Sequence, residues 1–141
     1  MLKGIPAIIH PDFLKILAQM GHGDEIVIAD AHFPSYSINS NVVRVDKASS
    51  PEIMAAVVKL IELDQYVEKP VVMMAPVPGD TLDPDVEKRY RAALSYDGKI
   101  EQVERYAFYE RAKKAYAVVL TGETAKYGNI IIKKGVIPVA K

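Results

Sequence analysis

The sequence predicts an α/β fold, a single domain in which strands and helices alternate around a largely parallel sheet. Three observations carry that prediction. First, EIVIA (25–29), VVRV (42–45), VVMMA (71–75), YAVVL (116–120) and NIIIKKG (129–135) read as strands, and several are apolar throughout, as a strand buried on both faces would be. Second, helix-spaced apolar residues or polar loops separate these runs. Third, 141 residues at 50% hydrophobic content suit one domain with a sizeable core, expected to span 1–141.

Each helix has a local reason. Pro11 opens the first one, where a missing N–H costs nothing. Phe13, Leu14, Ile16, Leu17 and Met20 follow at helical spacing, and Gly21 is the expected stop. Ser50 is the expected N-cap of the next helix, with Pro51 at its first position and an apolar face of Ile53, Met54, Val57, Leu60, Ile61 and Leu63. The loop PVPGDTLDP precedes a helix over 85–94, and Asp97, Gly98 and Lys99 make a turn. A basic helix over 108–115 leads into strand 116–120, and the loop TGETAKYG leads into the last strand.

Charge and composition exclude several function classes. Eighteen basic and eighteen acidic residues give zero net charge, so neither a nucleic-acid partner nor a membrane surface is expected. No run approaches the ~20 apolar residues of a membrane span, and the apolar run near the N-terminus is too short for a signal peptide. There is no Cys, which removes disulfides, thiolate metal sites and a Cys nucleophile. A cytoplasmic protein is the expectation. High apolar content at zero net charge also fits a chain that covers part of its surface in an oligomer.

The densest chemistry lies in GHGDEIVIADAHFP (21–34), which holds two of the three His. His titrates nearest neutrality and is the natural proton shuttle. His22 and Asp24 precede a strand, as reactive groups or as a helix cap and a turn residue. Asp30 and His32 follow that strand, facing a binding crevice or forming a turn ahead of Phe33. If 25–29 is extended it spans roughly 17 Å at ~3.3 Å per residue, so His22 and Asp30 can share a small site only if the strand is short or bent, or if a neighbouring subunit completes the site. Neither His-x-Asp nor Asp-x-His is a zinc signature, so no metal is expected. Residues 105–111 mix aromatic and charged groups. Zero net charge favours a solvated helix face over RNA stacking, and a single Arg there can clamp substrate hydroxyls. Tyr127, Gly128 and Asn129 form either an ordinary turn or a loop whose uncharged donors and acceptors suit a neutral polyhydroxylated ligand. No phosphate-binding glycine loop and no nucleophile elbow is present.

MGHGDEIVIADAHFP (20–34), ELDQY (62–66), GDTLDP (79–84), FYERAKKA (108–115) and TGETAKYGNIIIKKGV (121–136), in this order, resemble the L-fucose mutarotase and D-ribose pyranase family along nearly the whole chain. The fucose branch is favoured by the Ala-His-Phe-Pro after Asp30 and by the FYERA and AKYGN segments. The resemblance implies a cofactor-free interconversion of sugar anomers, with His22 as the acid/base group. It implies that Asp30, Arg105, Tyr127, Gly128 and Asn129 bind a monosaccharide. It also implies a ring-shaped homo-oligomer, typically a decamer, with sites at subunit interfaces. Tyr106 stands where the family pattern leads one to expect Phe. D-ribose pyranase activity and a non-catalytic sugar-binding or transport-accessory role are the alternatives.

Overall fold

Apolar runs become strands and capped amphipathic runs become helices at nearly all the expected places. The computed structural model describes residues 1–139, so the last two positions of the expected span lie outside the described residues. The order is α1 (Pro11–Gln19), β1 (Glu25–Ala29), α2 (Ser35–Ile38), β2 (Val42–Val45), α3 (Ser50–Val57), β3 (Val71–Met74), α4 (Pro84–Leu94), β4 (Ile100–Val103), α5 (Arg105–Lys114), β5 (Ala117–Thr121) and β6 (Ile130–Lys133).

The strands form one sheet in the order β2-β5-β1-β6-β3-β4. β1 and β2 both pair parallel with β5, and β3 pairs parallel with β4. β6 lies antiparallel between β1 and β3. Side chains alternate across each strand. Ile26 and Ile28 therefore enter the larger core with Phe13, Leu17, Ile53, Met54 and Tyr90 of α1, α3 and α4. Val27 and Ala29 enter the smaller core with Phe33 and with Phe108 and Ala112 of α5. Both faces of β1 are covered, which is why its sequence is an unbroken apolar run.

Several local expectations need correction. Helix α1 ends at Gln19 with Met20 already extended, so Gly21 is not a left-handed stop; the positive φ belongs to Gly23. The α1 terminus is closed instead by Lys134, whose ammonium donates to the carbonyls of Leu17 (2.8 Å) and Met20 (2.6 Å). The cap of α3 is Ser49, not Ser50: its hydroxyl accepts from the Glu52 amide and donates to the Glu52 carboxylate. Ser50 is buried against Thr121, and Pro51 is therefore the second helical residue. Helix α5 starts at Arg105, because Glu104 accepts from the amides of Tyr106 and Ala107. The short α2 and the edge strand β4 (IEQV) carry no strong periodicity and escape a reading of the sequence.

One charged group ties α5 across the sheet. The Arg111 guanidinium holds Glu25 at the start of β1 through Nε (3.1 Å) and Nη2 (2.6 Å), and Glu101 on β4 through Nη1 (2.7 Å). Arg111→Met keeps the apolar stem but leaves the half-buried Glu25 carboxylate with only Lys133 at 3.9 Å. Urea unfolding is expected to report a loss of about 1–3 kcal/mol, and an unchanged midpoint would reject the clamp.

Candidate functional site

Two groups of functional side chains lie at opposite ends of β1. At the carboxyl end, a cavity of about 290 Å³ is lined by Asp30, His32, Arg105, Tyr109, Tyr127 and Asn129, with Phe33, Met74 and Val77 as its apolar wall. Larger grooves exist: one of about 720 Å³ beside α1 is mainly apolar, and one of about 760 Å³ between α3 and α4 is lined by Lys59, Glu62, Asp64, Gln65 and Tyr96.

Asp30 follows the last residue of β1 and is buried. Burial pushes its carboxyl above the ordinary range, while hydrogen bonds from the His32 amide and the Asn129 side chain and the nearby His32 ring pull it back. Its own amide donates to Asn129 Oδ1 at 2.7 Å. Asn129 sits immediately before β6, so the antiparallel pairing of β6 with β1 brings these residues together. Arg105, the first residue of α5, donates through Nε to Tyr109 Oη at 3.0 Å, and its guanidinium lies 5.4 Å from the ring centroids of both Tyr106 and Tyr109. That packing leaves a preorganised planar cation at the cavity rim.

Tyr127 adopts φ +56°, a left-handed conformation that costs a non-glycine residue about 1–3 kcal/mol and persists only where neighbours fix it. Its hydroxyl donates to Asp80 Oδ2 at 2.7 Å and accepts from the Val77 amide at 3.3 Å. The Tyr127 hydrogen bond leads the influences that hold Asp80 below the usual carboxylate range. The ring of Tyr127 thus lines the cavity while its hydroxyl is engaged in tying two loops together. Gly128 does not line the cavity. A Cβ there would stand 2.6 Å from Tyr90 Oη, and the Tyr90 hydroxyl donates to the Gly128 carbonyl at 2.8 Å. Glycine is needed for that close approach inside the protein.

His22 is at the other end. It lies in a turn closed by Asp24, whose carboxylate accepts from the Gly21 amide at 2.7 Å, so Asp24 serves the turn. His22 Nε2 lies 3.0 Å from Asp64 Oδ1, and its ring lies against Tyr66 with centroids 5.2 Å apart. Asp64 is almost fully buried. Burial alone would raise its pKa, but the Tyr66 amide and His22 together hold it below the ordinary range, so it is an ionised acceptor. An ionised carboxylate cannot donate, so His22 donates from Nε2 and Nδ1 is left as the nitrogen that can take a proton.

The structure therefore brings Asp30, Arg105, Tyr127 and Asn129 together and leaves His22 apart. β1 runs over five residues and is paired along both edges. The reading of the sequence passed over Asp64 and Tyr66 as site residues, and also Tyr109 and Asp80. These side chains stand in the ELDQY, FYERA and GDTLDP segments, but no spacing links Asp64 to a histidine forty-two residues away.

Fold and site together define a small α/β domain with a polar strand-end cavity and a separate His–carboxylate pair. The chain belongs to the RbsD / FucU transport protein family, which matches residues 3–137. It is 61% identical to the L-fucose mutarotase of Actinobacillus pleuropneumoniae serotype 5b over 99% of each chain. Among solved structures it is similar to FucU of Bifidobacterium longum (46% identity, TM-score 0.91, covering 96% of this chain and 99% of that one). It is also similar to the fucose mutarotase of Streptococcus pneumoniae in complex with L-fucose (46% identity, TM-score 0.90, covering 97% and 100%). Among the described residues no helix is long and apolar enough to cross a membrane.

The depressed pKa of Asp64 sets a pH dependence with a definite sign. Its stabilisation is fully present above its unfolded value near 3.8 and is lost as pH falls through the lower folded value. Asp64→Asn is therefore expected to melt below the parent protein at about pH 7, with the gap closing in the acid range. Melting curves whose gap does not change with pH would contradict an ionised Asp64.

Proposed function

We propose that the chain is an L-fucose mutarotase, an isomerase that interconverts the α and β anomers of the free sugar. The observation that carries the reading is the composition of the strand-end cavity. It has two cations (Arg105 and Lys126), one buried carboxyl (Asp30), one amide (Asn129), the His32 imidazole and an apolar wall, a set suited to the hydroxyls and ring face of a monosaccharide. Identity of 61% to an L-fucose mutarotase along the full chain supports fucose as that sugar. A cysteine-free isomerase of free sugars fits the cytosol, where we place it.

The chemistry needs two proton movements. One group removes the proton of the anomeric hydroxyl while another protonates the ring oxygen, and the C1–O bond of the ring breaks to give the open-chain aldehyde. Rotation about C1–C2 exposes the other carbonyl face, the ring oxygen adds back, and the two protons return. Nothing is oxidised or lost. His22, oriented by Asp64 with Nδ1 free, is our assignment for the proton shuttle. Asp30, Arg105 and Asn129 hold sugar hydroxyls, and the ring of Tyr127 closes one side of the cavity.

Within one chain His22 and Asp30 are separated by the length of β1. We infer that the working site is shared: the His22 end of one subunit faces the Asp30 cavity of the next in a homo-oligomer. The His22 side chain is 46% exposed and the adjacent Tyr66 is 72% exposed, an aromatic corner suited to cover a neighbour's cavity.

The test is exchange NMR on the anomeric protons of L-fucose, with D-ribose in parallel. His22→Ala is expected to slow anomer exchange by about 10²–10⁴-fold with the fold intact. Full activity in that variant would remove His22 from the mechanism, and equal acceleration of D-ribose would favour the broader-specificity reading. A non-catalytic binder would accelerate neither sugar. The shared site has its own test. His22→Ala and Arg105→Ala subunits, each inactive alone, are unfolded and reassembled together. Partial recovery of activity is expected, since mixed interfaces then contain one intact site. No recovery in verified mixed oligomers would place the whole site within one chain.

A further inference from the structure

A buried carboxylate stands behind the binding cavity without belonging to it. Glu123, two residues beyond the end of β5, is 7% exposed. Its Oε2 accepts from the amides of Thr124 (3.1 Å) and Ala125 (3.2 Å). Its own amide donates to Thr121 Oγ1 at 3.1 Å, and its carbonyl accepts from Ala31 at 2.8 Å, directly after Asp30. Its side chain also fills the space beneath Gly128, where a Cβ would stand 3.3 Å from Glu123 Cγ. The second oxygen, Oε1, is buried and makes no hydrogen bond; the Arg89 guanidinium is 4.0 Å away.

A buried carboxylate with one idle oxygen is expensive to keep, and its neighbours show what it does. Each hydrogen bond it makes fixes the turn that starts the 124–129 loop, or joins that turn to the residue after Asp30. Downstream the same loop holds Tyr127 in its left-handed conformation and delivers Asn129 to the Asp30 amide. Without an acceptor at Oε2, the Thr124 and Ala125 amides lose their partner, and the loop has less to oppose the relaxation of Tyr127.

We propose that Glu123 is a positioning residue for sugar binding: it holds the 124–129 loop so that Tyr127 and Asn129 stand in register with Asp30 before the ligand arrives. Preorganisation of this kind acts on binding more than on the chemical step. The inference rests on the mutarotase reading for its kinetic readout, but the order of the loop can be measured without it.

The experiment combines hydrogen exchange and anomer-exchange kinetics on the intact protein. In the parent protein, peptides covering 121–129 are expected to be protected, and free exchange of the Thr124 and Ala125 amides would overturn the proposal without any variant. Glu123→Ala is expected to lose that protection and to raise KM for L-fucose by about tenfold, with kcat changed by less than about threefold. Glu123→Gln keeps one acceptor oxygen, so it is expected to retain protection and a KM within about twofold of the parent even if it melts lower. A folded Glu123→Ala protein with parental KM, or a Glu123→Gln protein as impaired in KM as Glu123→Ala, would overturn the assignment. If the parent protein fails to accelerate anomer exchange, the mutarotase reading falls and hydrogen exchange alone decides the role of Glu123.

Discussion

The reversed strand β6 is the constraint on which the rest of the structure depends. It runs antiparallel between β1 and β3, so each of its ends meets the opposite end of β1. Its first residue follows Asn129, which bonds the Asp30 amide at the carboxyl end. Its far end is Lys133, followed by Lys134 and Gly135 at the amino end. There the Lys134 carbonyl accepts from Gly23, the Lys133 carbonyl accepts from Asp64, and Gly135 donates to the Glu62 carbonyl. A single strand of four residues thus positions Asn129 against Asp30 and holds the His22 turn beside the segment that carries Asp64. Were β6 parallel, these two ends would be exchanged and neither group would form.

The same arrangement accounts for the electrostatic character of the two groups. Asp30 lies at the end of a doubly covered strand, so desolvation dominates and its carboxyl is pushed up. Asp64 lies in a loop where the Tyr66 amide and His22 both donate to it, so hydrogen bonding prevails over burial and its carboxyl is pulled down. Two aspartates in one small protein thus acquire opposite tendencies from their partners. Asp30 is suited to exchange hydrogen bonds with a hydroxyl, and Asp64 is suited to orient an imidazole.

The shared site proposed above would require copies of the chain. In that proposal the cavity beside Asp30 and the half-exposed imidazole of His22, at opposite ends of β1, are the two halves of one site. Zero net charge and exposed aromatics such as Tyr66 and Tyr106 suit close approach between copies. Glu123, buried behind the cavity, fits the same logic, since a site assembled from two subunits gains from having each half rigid beforehand.

By itself the sequence determined the local structure. EIVIA and VVRV are strands with the expected bounds, Pro11 opens α1, and the alternation of strands and helices defines the α/β class. These features follow from side-chain periodicity and from proline geometry, which act over a few residues. Motif order along the chain was also enough to suggest the family and to put forward His22, Asp30, Arg105, Tyr127, Gly128 and Asn129 as candidates. What the sequence could not determine was the direction of β6, the pairing of His22 with Asp64, the engagement of the Tyr127 hydroxyl by Asp80 and the use of Gly128 against Tyr90. Each depends on which distant segments the sheet order makes neighbours. Sheet order is decided by how the apolar faces of all six strands and their helices can be buried together, a property of the whole chain that no short stretch encodes.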